Sequence, residues 1–112
     1  MRIIETSTTM TAVELYKMTK NPSILKMREI AGAVINVTAW CFYEDENQKG
    51  ELQQILSIKD AGGEVYATNS PTFIRSFREI IEILNAAGET LDKLEVIQGT
   101  SKNGRPFITC AL

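Results

Sequence analysis

The sequence predicts a mainly β protein: a small five-stranded barrel with one helix between its third and fourth strands. Three observations support this. The chain has 112 residues, 44% of them hydrophobic, which suits one domain with one core. Short apolar runs with alternating polarity are separated by charged or Gly-rich turns. One segment has helical periodicity. The single domain, 1–112, is divided into a loose arm over 1–11, a helical extension over 12–32 and the barrel over 33–112.

The N-terminal part contains few strong signals. Residues 1–11 are rich in Thr and Ser and predict a loose arm or a short edge strand. Thr11 and Glu14 have capping-box spacing, so a helix is expected to begin there. Pro22 interrupts that helix. A second short helix is expected to follow and to end at Gly32.

Three strands are predicted next. The first covers about 33–44 and is followed by a charged turn. The second covers 51–60 and leads through a Gly-rich turn of hairpin type to the third, over 64–69. The three runs alternate between apolar and polar residues or are rich in β-branched and aromatic residues, and both patterns are typical of strands in a sheet.

The helix and the last hairpin are the clearest elements. Ser70 is a favourable N-cap, and Pro71 falls at the first helical position, where its missing N–H has no cost. An apolar stripe of period 3.6 follows, and Gly88 ends the helix. Asn103-Gly104 then marks the turn between the last two strands. This order of strands and helix is that of the OB-fold, although a split α+β sheet shares it.

The residue inventory disfavours an enzyme. There is no histidine, and Cys41 and Cys110 are too far apart in sequence to suggest a zinc site. No Gly-rich phosphate-binding motif is present. The acidic run 44–46 is best read as a solvated turn. We therefore predict no catalysis, no cofactor, no metal and no small-molecule substrate.

Charge and hydropathy bear on location and partners. The net charge of −2 gives no global attraction to nucleic acid, so a polyanion site requires a local basic cluster. The N-terminus lacks the apolar segment of a signal peptide, and no apolar run approaches the ~20 residues of a membrane span. Free thiols favour a reducing compartment. We predict a cytoplasmic protein with no membrane partner.

The stretch "VINVTAWCFY" (34–43) suggests a binding face. If its odd-numbered apolar residues point into the barrel, Trp40 and Phe42 point outward. Exposed rings stack on unpaired bases at roughly 1–3 kcal/mol each, and cations follow the backbone. The same alternation, applied to the other strands and turns, predicts further members of this face. The candidate nucleic-acid-binding residues are Trp40, Phe42, Lys49, Ile55, Lys59, Tyr66, Lys102, Arg105 and Phe107.

The two rings of the first strand have alternative places. Instead of facing outward, Trp40 and Phe42 have the alternatives of packing under the N-terminal helical segment, whose apolar residues need a partner, or in a dimer interface. A β-bulge within this long strand would reverse which residues face inward.

Four stretches, "LYKMTKNPSI", "YEDENQKGE", "EVYATNSPTFIRSF" and "GTSKNGRPFITCAL", carry a family resemblance. The chain resembles the small single-stranded DNA-binding proteins of phages and integrative elements of Gram-positive bacteria. This resemblance implies an OB-type barrel that coats exposed DNA strands without sequence preference during replication or recombination. It leaves homo-oligomers and other replication proteins open as partners. The alternative function is a protein–protein adaptor subunit of a replication complex, because small barrels host many functions.

Overall fold

The computed structural model describes residues 1–112. Its core is one curled, mainly antiparallel sheet packed against helices, and the predicted OB-like architecture is confirmed. The elements in chain order are β1 (Arg2–Thr6), α1 (Ala12–Thr19), β2 (Leu25–Lys26), a 3₁₀ helix (Met27–Ile30), β3 (Val34–Glu46), β4 (Leu52–Asp60), β5 (Val65–Thr68), α2 (Pro71–Ala86), β6 (Lys93–Thr100) and β7 (Pro106–Ala111).

The strand order is β2-β5-β4-β3-β6-β7, with β1 beside β3. At 13 residues, β3 is long enough to join the two parts of this sheet. It pairs with β4 from Val37 onward, with β6 through residues 34–36 and with β1 through residues 41–44. The half-barrel is therefore organised around one central strand.

The N-terminal segment matches the prediction in part. Residues 2–6 form a short strand paired with β3, which is one of the two predicted alternatives for this segment. The helix beginning after Thr11 is present with its capping box. The second predicted helix is only a 3₁₀ turn over Met27–Ile30, preceded by β2, which pairs in parallel with β5. Leu25 and Lys26 form a strand because they pair with β5, a contact between distant segments that the local helical spacing does not predict.

The acidic run lies at the end of β3, and two of its members form ion pairs. Arg2 Nη2 lies 2.8 Å from Glu44 Oε1, which attaches β1 to β3. Lys20, at the end of α1, donates a hydrogen bond to Asp45, and this contact lowers the pKa of the Asp45 carboxyl. These carboxylates therefore attach the N-terminal elements to the sheet.

Both faces of β3 are covered. Its even-numbered rings Trp40 and Phe42 belong to the main core beneath α2, together with Ile35. Cys41 and Tyr43 point to the opposite face, where Met18 of α1 and its neighbours cover them. Ile35 therefore lies in the same core as Trp40 and Phe42, although strict alternation would place it on the other face. The reason is that the β3–β4 register shifts between Val37 and Ala39.

Helix α2 spans the gap between the end of β5 and β7. The Ser70 hydroxyl caps the helix by accepting the backbone N–H of Phe73, as the sequence predicts. The hydroxyls of Ser70 and Thr72 both donate to the carbonyl of Ile108 in β7, at 3.2 and 2.7 Å. The start of α2 is therefore held against β7, and a groove lies beside this junction.

Candidate nucleic-acid interface

The two rings of β3 do not form an exposed platform, and the expectation that they face outward is wrong. The alternative that they pack in the core is confirmed, although they lie beneath α2 and not under the N-terminal helical segment. Trp40 is 8% exposed and Phe42 is 4% exposed. Trp40 meets Phe77 of α2 edge to face, with ring centroids 5.3 Å apart. The guanidinium of Arg78 lies 5.0 Å from the centroid of the Phe42 ring. The bulge in β3 turns both rings toward α2, where they belong to the main core.

Phe107 has a different environment. It lies opposite Gly99 in the β6–β7 ladder, and its ring covers that glycine. A Cβ added at Gly99 would lie 2.4 Å from Phe107 Cζ, so only glycine leaves room for the ring in this position. The side chain of Phe107 is half-buried and lines an open cleft. Among the predicted aromatic residues, Phe107 is the one that is both partly exposed and in a cleft.

The cleft beside Phe107, which we call the basic cleft, has a volume of about 820 Å³. It runs between β2 and the 3₁₀ helix, the start of β4, the end of β5, the start of α2, and the β6–β7 hairpin. Its walls combine two cations with amides, hydroxyls and apolar groups, and they include no acidic residue. The lining residues that the argument uses are Lys26, Arg28, Gln53, Ile55, Asn69 and Phe107.

The absence of acids distinguishes the basic cleft from the other grooves. A second cleft of about 890 Å³, between α2 and the β3–β4 sheet, contains Glu5, Glu79 and Glu82 beside two arginines. A third, under α1, contains two glutamates and two lysines. Because the protein as a whole carries −2, a groove with only positive charge is a local departure from the average.

The family model for phage single-stranded DNA-binding proteins of the Phi29 type matches residues 2–112. The chain belongs to this family. The family predicted from the sequence is thus confirmed. No curated protein and no solved structure matches the chain significantly.

The two cations of the basic cleft, Lys26 and Arg28, were missed by the sequence analysis. They flank Met27, which is 0% exposed and belongs to the main core. Since β2 pairs with β5 and the chain then turns, one buried residue anchors two exposed cations at the cleft. The signal in the sequence was the basic–apolar–basic triplet, but it fell in a segment that was predicted to be helical.

The other predicted residues are dispersed. Ile55 lines the basic cleft with Phe107. Lys102 and Arg105 are exposed in the β6–β7 turn, close in sequence to Pro106 at the cleft wall. Lys49 is exposed in the β3–β4 turn, outside all three clefts. Lys59 lines the cleft under α1.

Tyr66 is the third aromatic ring whose outward orientation was predicted wrongly. It packs against the main core on the same side as its ladder partner Ile58. Its hydroxyl donates to Asp60 Oδ2 at 3.4 Å, and the pKa of the Tyr66 phenol is raised by desolvation and by this carboxylate. Val65, on the other face of β5, is buried as predicted, so both faces of this strand are covered.

The buried thiols are poor candidates for chemistry. Burial raises the pKa of Cys41 to about 11 and that of Cys110 to about 12. Nucleophilic attack requires the thiolate, which is scarce at neutral pH with such values. The two residues also belong to different cores.

Neither helix has the length and apolar character needed to cross a membrane.

Proposed function

We propose that the chain binds single-stranded DNA in the basic cleft, without sequence preference, during replication or recombination of phage or mobile-element DNA. The observation that carries this proposal is the cleft itself, which combines Lys26, Arg28 and the Phe107 ring with no acidic side chain. Cations follow phosphates and a ring stacks on a base, which are the two elements of sequence-independent binding.

The preference for single strands has a physical reason. Bases in a duplex are already stacked and paired, so they cannot reach a ring inside a cleft. The cleft also contains the side-chain amides of Gln53 and Asn69, and the Asn69 amide donates a hydrogen bond to Gln53 Oε1 at 3.1 Å. They offer no repeated pattern of donors for base edges, which supports binding without sequence preference.

The direct test is a titration of a labelled oligo-dT and of a hairpin duplex, each over a series of salt concentrations. We expect the protein to bind the single strand more tightly and log K to fall linearly with log salt, by about 0.7 for each phosphate contacted. Equal affinity for the duplex, or binding that is independent of salt, would contradict the proposal.

An adaptor role is a second candidate. Val13 and Tyr16, three residues apart on α1, are 63% and 52% exposed and form an apolar pair directed away from the sheet. Such a pair fits contact with another protein or a second copy. Capture of a replication protein from nuclease-treated lysate that is lost on Tyr16→Ala, without affinity for oligo-dT, would favour this role. Oligo-dT binding unchanged by Tyr16→Ala favours the first.

Phe107→Ala should weaken oligo-dT binding by about 1–3 kcal/mol, the range for one base stacked on one ring. Gly99→Ala should also weaken it, because the new methyl group displaces the ring while keeping its chemistry. Fluorescence anisotropy at one fixed salt concentration measures both. Tyr16→Ala serves as the matched aromatic control and should bind as the parent does. A Phe107→Ala variant with unchanged affinity and a native circular dichroism spectrum would remove Phe107 from the interface.

A further inference from the structure

Resting on the proposed function, we propose that the bound strand leaves the basic cleft and continues along the first half of α2, where Arg75 and Arg78 contact its phosphates. The second cleft defined above lies between α2 and the sheet, and three residues line both clefts. These shared residues are Gln53, Asn69 and Pro71. The two clefts are therefore neighbours, which we together call the trough. A strand that passes from the first to the second has to cross these shared residues, where Asn69 donates a hydrogen bond to Gln53 at 3.1 Å.

Charge changes sign along the helical wall of the second cleft. From the shared residue Pro71, the wall passes Arg75 and Arg78 before it reaches Glu79 and Glu82. At a rise of 1.5 Å per residue, Arg78 lies about 10 Å from Pro71 and Glu82 lies about 16 Å from it. On the helix, Arg75 is nearest the basic cleft and Glu82 is farthest from it, while Glu79 directly follows Arg78. Glu5 of β1 also lines this cleft, and these carboxylates, which repel phosphate, limit the path to the first half of α2.

Both arginines are available for a ligand. Each is exposed, and neither is in an ion pair, although a glutamate follows each at i+4. Arg78 is held over the Phe42 ring, 5.0 Å from its centroid, so its guanidinium is positioned before any ligand arrives. A guanidinium presents a fork of donors that suits phosphate oxygens.

The contacts expected in this extension are to the DNA backbone and not to the bases. The rings at its floor, Trp40 and Phe42, are nearly completely buried and offer no face for stacking. About 10 Å of trough accommodates roughly three nucleotides at the 3.4 Å spacing of a stacked strand. The extension therefore adds charge-dependent affinity that only the longer oligonucleotides can use.

The test compares oligo-dT of two lengths, about five and about twelve nucleotides, within the range bound by single OB-folds. Arg75→Gln/Arg78→Gln should reduce the slope of log K against log salt by about 1.4 for the long strand, since each lost phosphate contact accounts for about 0.7. It should leave the slope for the short strand unchanged. Glutamine retains much of the aliphatic stem over Phe42, and circular dichroism confirms that the variant is folded.

The matched control is Lys17→Gln/Lys93→Gln, which removes the same charge from exposed positions outside both clefts. It should leave both slopes close to those of the parent protein. If the control lowers the long-strand slope as much as the arginine pair does, the effect is one of net charge and the extension is wrong.

Trp40 gives an independent readout. It is the only tryptophan, and it lines the second cleft but not the basic cleft. The long oligonucleotide should therefore change the tryptophan fluorescence, and a saturating concentration of the short one should not. Both lengths changing it equally, or neither changing it, would contradict the extended path.

The extension and the proposed function fail in different ways. If the short strand binds with a salt dependence that Lys26→Gln/Arg28→Gln reduces, while the arginine pair has no effect on the long strand, the extension is overturned and the basic cleft stands. If neither length binds at low salt, the proposed function itself is overturned.

Discussion

Replacing Trp40 with alanine should lower the free energy of unfolding by about 3–5 kcal/mol, the usual cost of removing a large buried aromatic side chain. The ring is 8% exposed and lies edge to face with Phe77, so its loss leaves a cavity between β3 and α2. Because the whole domain is expected to be stable by only about 5–15 kcal/mol, this is one of the largest effects of any single substitution. Urea denaturation followed by far-ultraviolet circular dichroism measures it.

The control for this prediction is Tyr16→Ala, which removes an exposed ring from α1. It should change the free energy of unfolding by no more than about 0.5 kcal/mol. A Trp40→Ala variant with an unchanged urea midpoint and a weakened affinity for oligo-dT would show that the indole is a stacking platform after all. A lowered urea midpoint in a variant that still binds oligo-dT would show that the ring contributes to packing and not to binding.

Lys26→Gln/Arg28→Gln should weaken binding to oligo-dT by about 25-fold at ~0.1 M salt. This figure takes two phosphate contacts, a slope of about 0.7 per contact and affinities that converge at ~1 M salt. Both side chains are exposed and line the basic cleft, while the buried Met27 between them is unchanged. The fold is therefore expected to persist. Anisotropy titrations from low to high salt measure both the affinity and its slope.

Lys17→Gln/Lys93→Gln removes an equal charge elsewhere and separates a local effect from a global one. This control should lose little affinity, because neither lysine lines the basic cleft and salt screens exposed charges that do not contact the strand. If both double variants lose the same affinity, the basic cleft has no special role. If only the cleft variant loses affinity, the local cluster outweighs the overall charge of −2.

The placement of the proposed interface follows from how both faces of the sheet are used. One face of β3 packs against α2 and the other against α1, so the aromatic rings of β3 offer no open face to a base. We therefore place the stacking contact of the proposed interface at the margin of the sheet. The basic cleft lies where the 3₁₀ helix, α2 and the β6–β7 hairpin meet. These short connections and element ends are where a compact barrel can expose charge without opening its core.

Local signals predicted much of this architecture. The cap at Ser70, Pro71 at the first helical turn and the apolar stripe that follows determine α2, and all three are present. Asn103-Gly104 lies in the turn between β6 and β7 as expected, with Gly104 at φ +76°. Each of these features depends on residues within a few positions of one another, so a sequence is sufficient to reveal them.

By itself the sequence determined the OB-like order of elements and the family, whereas its expectation of one core was incomplete, because the two faces of β3 bury separate clusters. Only the tertiary structure decided which rings are buried. The inward face of β3 changes at a bulge between Val37 and Ala39, and a shift of one residue reverses every side chain beyond it. Tertiary pairing likewise made a strand of Leu25–Lys26 and brought Lys26 to Phe107, 81 positions away in the chain. Register and long-range pairing are set by contacts between distant segments, which no local pattern specifies.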